Sequence, residues 1–126
     1  MRQKAGSYLA VFAGGAIGSV LREVLGTQLP GLPFLTATFG INTAACFVLG
    51  WLFAIRHRLH PHLLHLGAVG FCGGLSTFSS FILELDRLTI SGGWSIGLVA
   101  MTVEIAAGLA AAILGEALGR GREARR

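Results

Sequence analysis

The chain has 126 residues, of which 53% are hydrophobic and 13% charged, and its formal net charge is +4. These values exclude a disordered chain, which needs low hydrophobicity and high charge, and an ordinary soluble domain, where about a quarter of residues are charged. A chain whose outside is covered by lipid needs few charges, and 19 glycines against three prolines suit helices that approach closely within a bilayer.

A bilayer core takes about 20 helical residues to cross, and four segments qualify. The first runs from about Tyr8 to Leu25, with Arg22 and Glu23 near its end, and the second from Phe34 to Ile55 without a charge. The third, Leu63 to Leu83, carries His65, and the fourth, Trp94 to about Leu118, carries Glu104 at its middle and Glu116 near its end. Pro30–Pro33, Arg56–Pro61 and Thr89–Gly93 separate them. Residues 1–126 therefore form a single all-α, four-helix transmembrane domain with no length left for a soluble one. The basic Met1–Lys4 segment precedes an apolar run too long for a signal peptide, so the first span is expected to stay in the membrane.

Four spans put both termini and the middle loop on one side. That side carries Arg2, Lys4, Arg56, Arg58, Arg120, Arg122, Arg125 and Arg126, against Arg22 and Arg87 on the other. The positive-inside rule places the basic side, with both termini, in the cytoplasm of a plasma (inner) membrane. The basic tails are read as topology signals and contacts for anionic lipid, not as nucleic-acid ligands. Cys46 and Cys72 lie in apolar runs and read as buried small side chains. Pro61 interrupts the four histidines (His57, His60, His62 and His65), which read as an interfacial loop rather than a metal site. Trp94 reads as an interfacial anchor and Trp51 as a packed side chain. Asp86 is the only aspartate and no nucleophile or phosphate-loop motif accompanies it, so no enzymatic activity is expected.

Polar groups at membrane depth must meet protein, water or a ligand. Thr38, Asn42 and Cys46 are four apart and predict one helix face. The run from Gly70 to Phe81 sets Gly70, Gly73 and Gly74 beside Ser76, Thr77, Ser79 and Ser80. Gly-Gly is a poor helix interior, which predicts a break there. The competing reading is tight glycine packing with hydroxyls bonded back to the preceding turn. Phe78 and Phe81, three apart, share a face, and an aromatic ring has a positive edge that meets an anion.

Gly73-Gly74-Leu75-Ser76-Thr77-Phe78-Ser79-Ser80-Phe81 with Glu84, Gly14 to Arg22, and Thr38-Phe39-Gly40-Ile41-Asn42 together resemble the Fluc/CrcB family of fluoride channels. The resemblance implies an antiparallel dimer of four-helix subunits with two narrow pores and a structural sodium ion at the two-fold centre. It implies that the backbone carbonyls of Gly73 and Ser76 hold the sodium and that Phe78 and Phe81 are the pore phenylalanines. Asn42 would donate to fluoride, Ser79 and Ser80 would line a polar track supported by Thr38, Arg22 would mark a vestibule or interface position, and Glu84 a nearby structural one. The function implied is passive export of cytoplasmic fluoride, giving fluoride resistance.

Two features depart from the family pattern. The loop charges are unbalanced, where an antiparallel homodimer calls for balance, which suits one half of a paralogue-pair heterodimer with an impaired pore of its own as the alternative to a homodimer. Glu104 stands in the fourth span near positions where the family places Ser or Tyr. It would repel an anion unless protonated or paired, for instance with Arg22, and Thr102 would then supply a hydroxyl instead. A remote alternative, a small proton-coupled multidrug exporter, would use Glu104 as its membrane-embedded acid.

Overall fold

The computed structural model describes residues 2–28, 36 and 38–124. Among them the chain is all helical: α1 (Arg2–Gln28), α2 (Phe39–Ala54), a 3-10 turn (Arg56–Arg58), α3 (Pro61–Leu64), a π-helical stretch (His65–Phe71), α4 (Cys72–Leu75), α5 (Phe78–Gly92) and α6 (Trp94–Ala124). Three segments are long and apolar enough to cross a membrane, Lys4–Gln28, Pro61–Gly92 and Trp94–Gly121, and Phe39–Ala54 is a shorter apolar helix. The expected turn at Pro30–Pro33 and the expected start of the second span at Phe34 lie outside the described residues, as do Arg125 and Arg126.

Helix α1 lies along the His65–Leu75 segment, α2 along α6, and α5 on α6. Glycine makes both long seams. A Cβ on Gly70 would come 2.6 Å from the Val11 carbonyl, and one on Gly74 would overlap the Gly15 carbonyl. Across the other seam, Gly50 meets the Ala112 backbone and Gly115 the Phe47 backbone. Such small-residue stripes let helix backbones touch where lipid offers no hydrophobic drive for association. Gly74→Ala is therefore expected to destabilise the fold by about 1–3 kcal/mol through overpacking, read as a lower thermal midpoint in detergent. Gly26→Ala, where a Cβ would meet nothing within 4 Å, should not lower it, since alanine favours a helix by about 1 kcal/mol over glycine.

Several boundaries differ from the sequence expectation. The third crossing does not break at Gly73-Gly74: both are helical, and the chain leaves the helix at Ser76 (ψ 152°) and Thr77 (φ −147°, ψ 118°). Helix packing overrides glycine's poor propensity, because a helix satisfies its own backbone at no cost in lipid. The π-helical stretch before it was not foreseen. Thr89–Gly92 is not a loop either: α5 runs on to Gly92, and Gly93 alone turns the chain, with φ +86° and its N–H on the Thr89 carbonyl. The first helix begins earlier than Tyr8 and ends later than Leu25, and the last continues past Leu118.

Contacts between helix ends show which of them lie together. A Cβ on Gly6 would touch the His62 ring, and one on Gly119 would touch Ala54 and Trp51. The start of α1, the turn after α2 and the close of α6 thus share one end, with Lys4, Arg56, Arg58 and Arg120. The outer faces stay apolar: Tyr8, Phe12, Val20, Val69, Val99, Leu109 and Ile113 are all exposed, as a lipid-covered surface demands. Cys72 is buried, whereas Cys46 is only half-buried, and both are free thiols.

Candidate functional site

At Ser76-Thr77 the helix ladder stops, and the freed groups find specific partners. Ser76 bonds back on itself: its N–H and its hydroxyl both donate to the Cys72 carbonyl, at 2.9 and 2.8 Å. Thr77 opens α5 as its N-cap, accepting the Ser80 N–H at 3.3 Å on Oγ1, which also lies 3.3 Å from the Ser79 and Ser80 hydroxyls. An N-cap hydroxyl satisfies one of the donors that every helix start leaves unpaired. The Thr77 backbone faces α2 instead. Its N–H donates to Asn42 Oδ1 at 3.0 Å, and Asn42 Nδ2 donates to its carbonyl at 3.5 Å. Asn42 thus clasps the break with one amide, and its Nδ2 keeps a second N–H.

That clasp frees acceptors on the other side. The Thr77 N–H would close the next turn onto the Gly73 carbonyl; it has gone to Asn42. A helix leaves its last four carbonyls unpaired, which here are those of Gly73, Gly74, Leu75 and Ser76. Arg22 takes one, donating to the Gly74 carbonyl at 3.1 Å. Gly73 is exposed, and a Cβ there would meet nothing within 4 Å. An exposed, bare backbone with unspent carbonyl oxygens has the donor chemistry of a hard-cation site. Among the described residues no group of three or more His, Cys, Asp or Glu side chains converges on a metal position. In the histidine segment, His60 caps α3 through His62 N, His65 contacts the Pro61 carbonyl, and His62 lies 3.5 Å from Ser7.

Between α2, the break, α5 and α6 runs a groove of about 340 Å³, lined by Asn42, Thr43, Cys46, Ser76, Thr77, Phe78, Phe81 and Glu104 among others. Phe81 is 8% exposed and Phe78 76%. Their ring centroids are 6.0 Å apart and tilted by 42°. The wall therefore offers two aromatic rings, an amide and hydroxyls, with Phe78 the more exposed of the rings.

Thr36 and Thr38, neither of them within a helix, stand ahead of α2. Thr36 is 2% exposed and Thr38 9%, so the N–H and hydroxyl donors of both need partners within the protein. Two carboxylates supply them. Glu104 accepts the Thr36 N–H at 2.5 Å and the Thr36 hydroxyl at 2.8 Å. Glu84 accepts the Thr38 N–H at 3.1 Å and the Thr38 hydroxyl at 3.4 Å.

The sequence-predicted residues thus separate. Asn42, Ser76, Phe78, Phe81 and Glu104 meet at one groove. Thr38, one turn before Asn42 as the N-cap of α2, is held by Glu84 and is not among the groove's lining residues. Ser79 and Ser80 gather at the Thr77 hydroxyl and are not among the groove's lining residues. Thr102 spends its hydroxyl on the Leu98 carbonyl at 2.8 Å and is exposed. Glu104 is not paired with Arg22: Arg22 lies on the Gly74 carbonyl, and Glu104, 7% exposed, lies on Thr36. Thr36 and the Thr77 backbone were missed. The pairs join positions 68 and 35 residues apart, and no local pattern announces them.

The profile of the family described as "CrcB-like protein, Camphor Resistance (CrcB)" matches residues 9–116. A protein of Ruegeria pomeroyi named "Fluoride-specific ion channel FluC" is 90% identical over 126 residues, covering both chains fully. Proteins with the same name from Solibacter usitatus and Gloeobacter violaceus are 35% and 38% identical. The first alignment covers 90% of this chain and 98% of the relative, and the second 80% and 86%.

Proposed function

The chain belongs to the CrcB family, and from that membership we propose that it is a fluoride-specific ion channel subunit, a multi-pass membrane protein that lets fluoride pass without an energy source. The observation that carries the reading is the groove in which Phe78, Phe81 and Asn42 meet at the broken third crossing. Fluoride is small and strongly hydrated. A pore must replace its water with N–H, O–H and ring-edge contacts, yet release the ion again. Asn42 holds the break open with one side of its amide and offers its second N–H to the anion. The two rings supply edges along the wall.

The groove is open on one side, Phe78 is exposed at its lip, and Gly73 has no neighbour. We take a second, inverted copy of the chain, or a paralogue, to close that side. The loop-charge imbalance favours a single orientation for this chain, and so keeps the paralogue pair alongside the homodimer. The carbonyls of exposed Gly73 and half-buried Ser76 would hold a sodium ion shared between subunits, which would supply fixed positive charge where the dielectric is low. Exchanging sodium for a large organic cation during purification is then expected to lower the dimer fraction in detergent, since binding shared across two chains couples to their association.

The basic end faces the cytoplasm of the plasma membrane in this reading. Hydrogen fluoride enters cells as the neutral acid and ionises inside. An inside-negative potential then drives the anion out by about 2.3 kcal/mol per 100 mV. Liposomes carrying this chain as the only protein should release fluoride and retain chloride. Equal chloride release would overturn the selectivity. No release at all would leave the paralogue pair, tested by adding the second subunit.

A further inference from the structure

The chain carries a buried carboxylate in the wall of an anion pathway, which calls for a reason. Glu104 lies on α6, is 7% exposed, and lines the groove beside Asn42, Phe78 and Phe81. Both of its oxygens are engaged by one residue, Thr36, itself 2% exposed. The contacts continue inward from there. The Thr36 carbonyl accepts the Phe39 N–H at 3.1 Å, which fixes the first residue of α2. The Thr38 carbonyl accepts the Asn42 N–H at 2.9 Å, while Glu84 holds Thr38 from α5. Asn42 then clasps the backbone of Thr77 at the break. A short ladder therefore runs from α6 to the broken crossing, and Glu104 is its outer rung.

We propose that Glu104 is a positioning residue for conduction: by gripping the N–H and O–H of Thr36 it sets the start of α2, and so the placement of Asn42 against Thr77, rather than acting on the ion through its charge. This rests on the fluoride-channel reading above. The chemistry favours a grip over a charge role. A carboxylate has acceptor capacity only, and the two donors it meets here are the backbone amide and the hydroxyl of one residue, Thr36, which lies outside any helix. Without them the Thr36 N–H would be a buried, unsatisfied donor.

Three variants separate the roles. In Glu104→Gln the side-chain oxygen still accepts the Thr36 N–H, and the amide nitrogen donates to the Thr36 hydroxyl oxygen, so fluoride efflux from liposomes should stay within about threefold of the parent. Glu104→Ala removes the grip, and efflux should fall at least about tenfold. Thr36→Val removes one of the two bonds and should fall between them. Combining it with Glu104→Ala should cost no more than Glu104→Ala alone, because both break the same contact. A second readout follows the ladder rather than the ion. Hydrogen exchange of the segment Ser76–Ser80, which contains the Thr77 N–H, should speed up several-fold in Glu104→Ala and not in Glu104→Gln.

Efflux from Glu104→Ala equal to the parent would overturn the inference. So would Glu104→Gln falling as far as Glu104→Ala, which would assign the effect to charge, or a loss of efflux with Ser76–Ser80 exchange unchanged. If Glu104→Ala does not fold, Glu104→Gln and Thr36→Val decide on the same readouts. A parent chain, alone or with a paralogue, that conducts no fluoride would sink the channel reading instead, and the exchange experiment would still report whether the ladder exists.

Discussion

Phe81→Ile should cut fluoride efflux by about a hundredfold while the chain remains folded and associated. Phe81 is nearly buried in the groove wall, 6.0 Å from the Phe78 ring. Isoleucine keeps an apolar side chain of moderate size at that position, so the folding cost should stay near 1–1.5 kcal/mol. What it cannot replace is the positive edge of the aromatic quadrupole. A hundredfold loss corresponds to about 2.7 kcal/mol on the barrier to passage, the scale of two lost favourable contacts to a partly dehydrated ion. Phe78→Ile should act in the same direction, with still less effect on folding because that ring is exposed in the single chain. A fluoride electrode reading efflux from liposomes, with thermal unfolding and subunit count measured in parallel, checks both. Efflux within threefold of the parent for both variants would remove the rings from the pathway.

Substitution of Asn42 should be as damaging, and the choice of substituent separates its two tasks. Asn42→Ala leaves the Thr77 N–H without its acceptor at a helix break, costing about 1–3 kcal/mol of stability, and removes the donor to the anion as well. Efflux should fall by at least about a hundredfold and the thermal midpoint should drop. Asn42→Asp keeps an oxygen for the Thr77 N–H but has no N–H to give. It should preserve more of the fold than Asn42→Ala while conducting no better, since an ionised aspartate offers the anion no donor. Should Asn42→Asp conduct like the parent, Asn42 would be a structural clasp alone.

Much of this arrangement was legible in the residues. The apolar runs announced the crossings, the glycine and hydroxyl cluster announced an interruption in the third, and the spacing of Phe78 and Phe81 announced a shared face. The interruption was placed two to three residues early because Gly73-Gly74 was weighed by helix propensity. At Gly74 the deciding quantity is how near α1 comes, and that depends on Gly14, Gly15 and Gly18 of another segment. The π-helical turns of His65–Phe71 leave no mark in so uniformly apolar a run. The second helix was expected to be longer because nothing in the local sequence says that Thr36 and Thr38 surrender their amides to Glu104 and Glu84.

Composition and hydropathy by themselves determined that this is a helical membrane chain with several long apolar helices, because burying apolar surface and keeping charge in water act along the chain, residue by residue. Tertiary structure decided the rest. Glu104 went to Thr36 rather than Arg22, Asn42 to the backbone of Thr77, and the Gly73 carbonyl was freed. A polar group at membrane depth takes whichever partner three dimensions bring within about 3 Å, and sequence distance does not enter that choice.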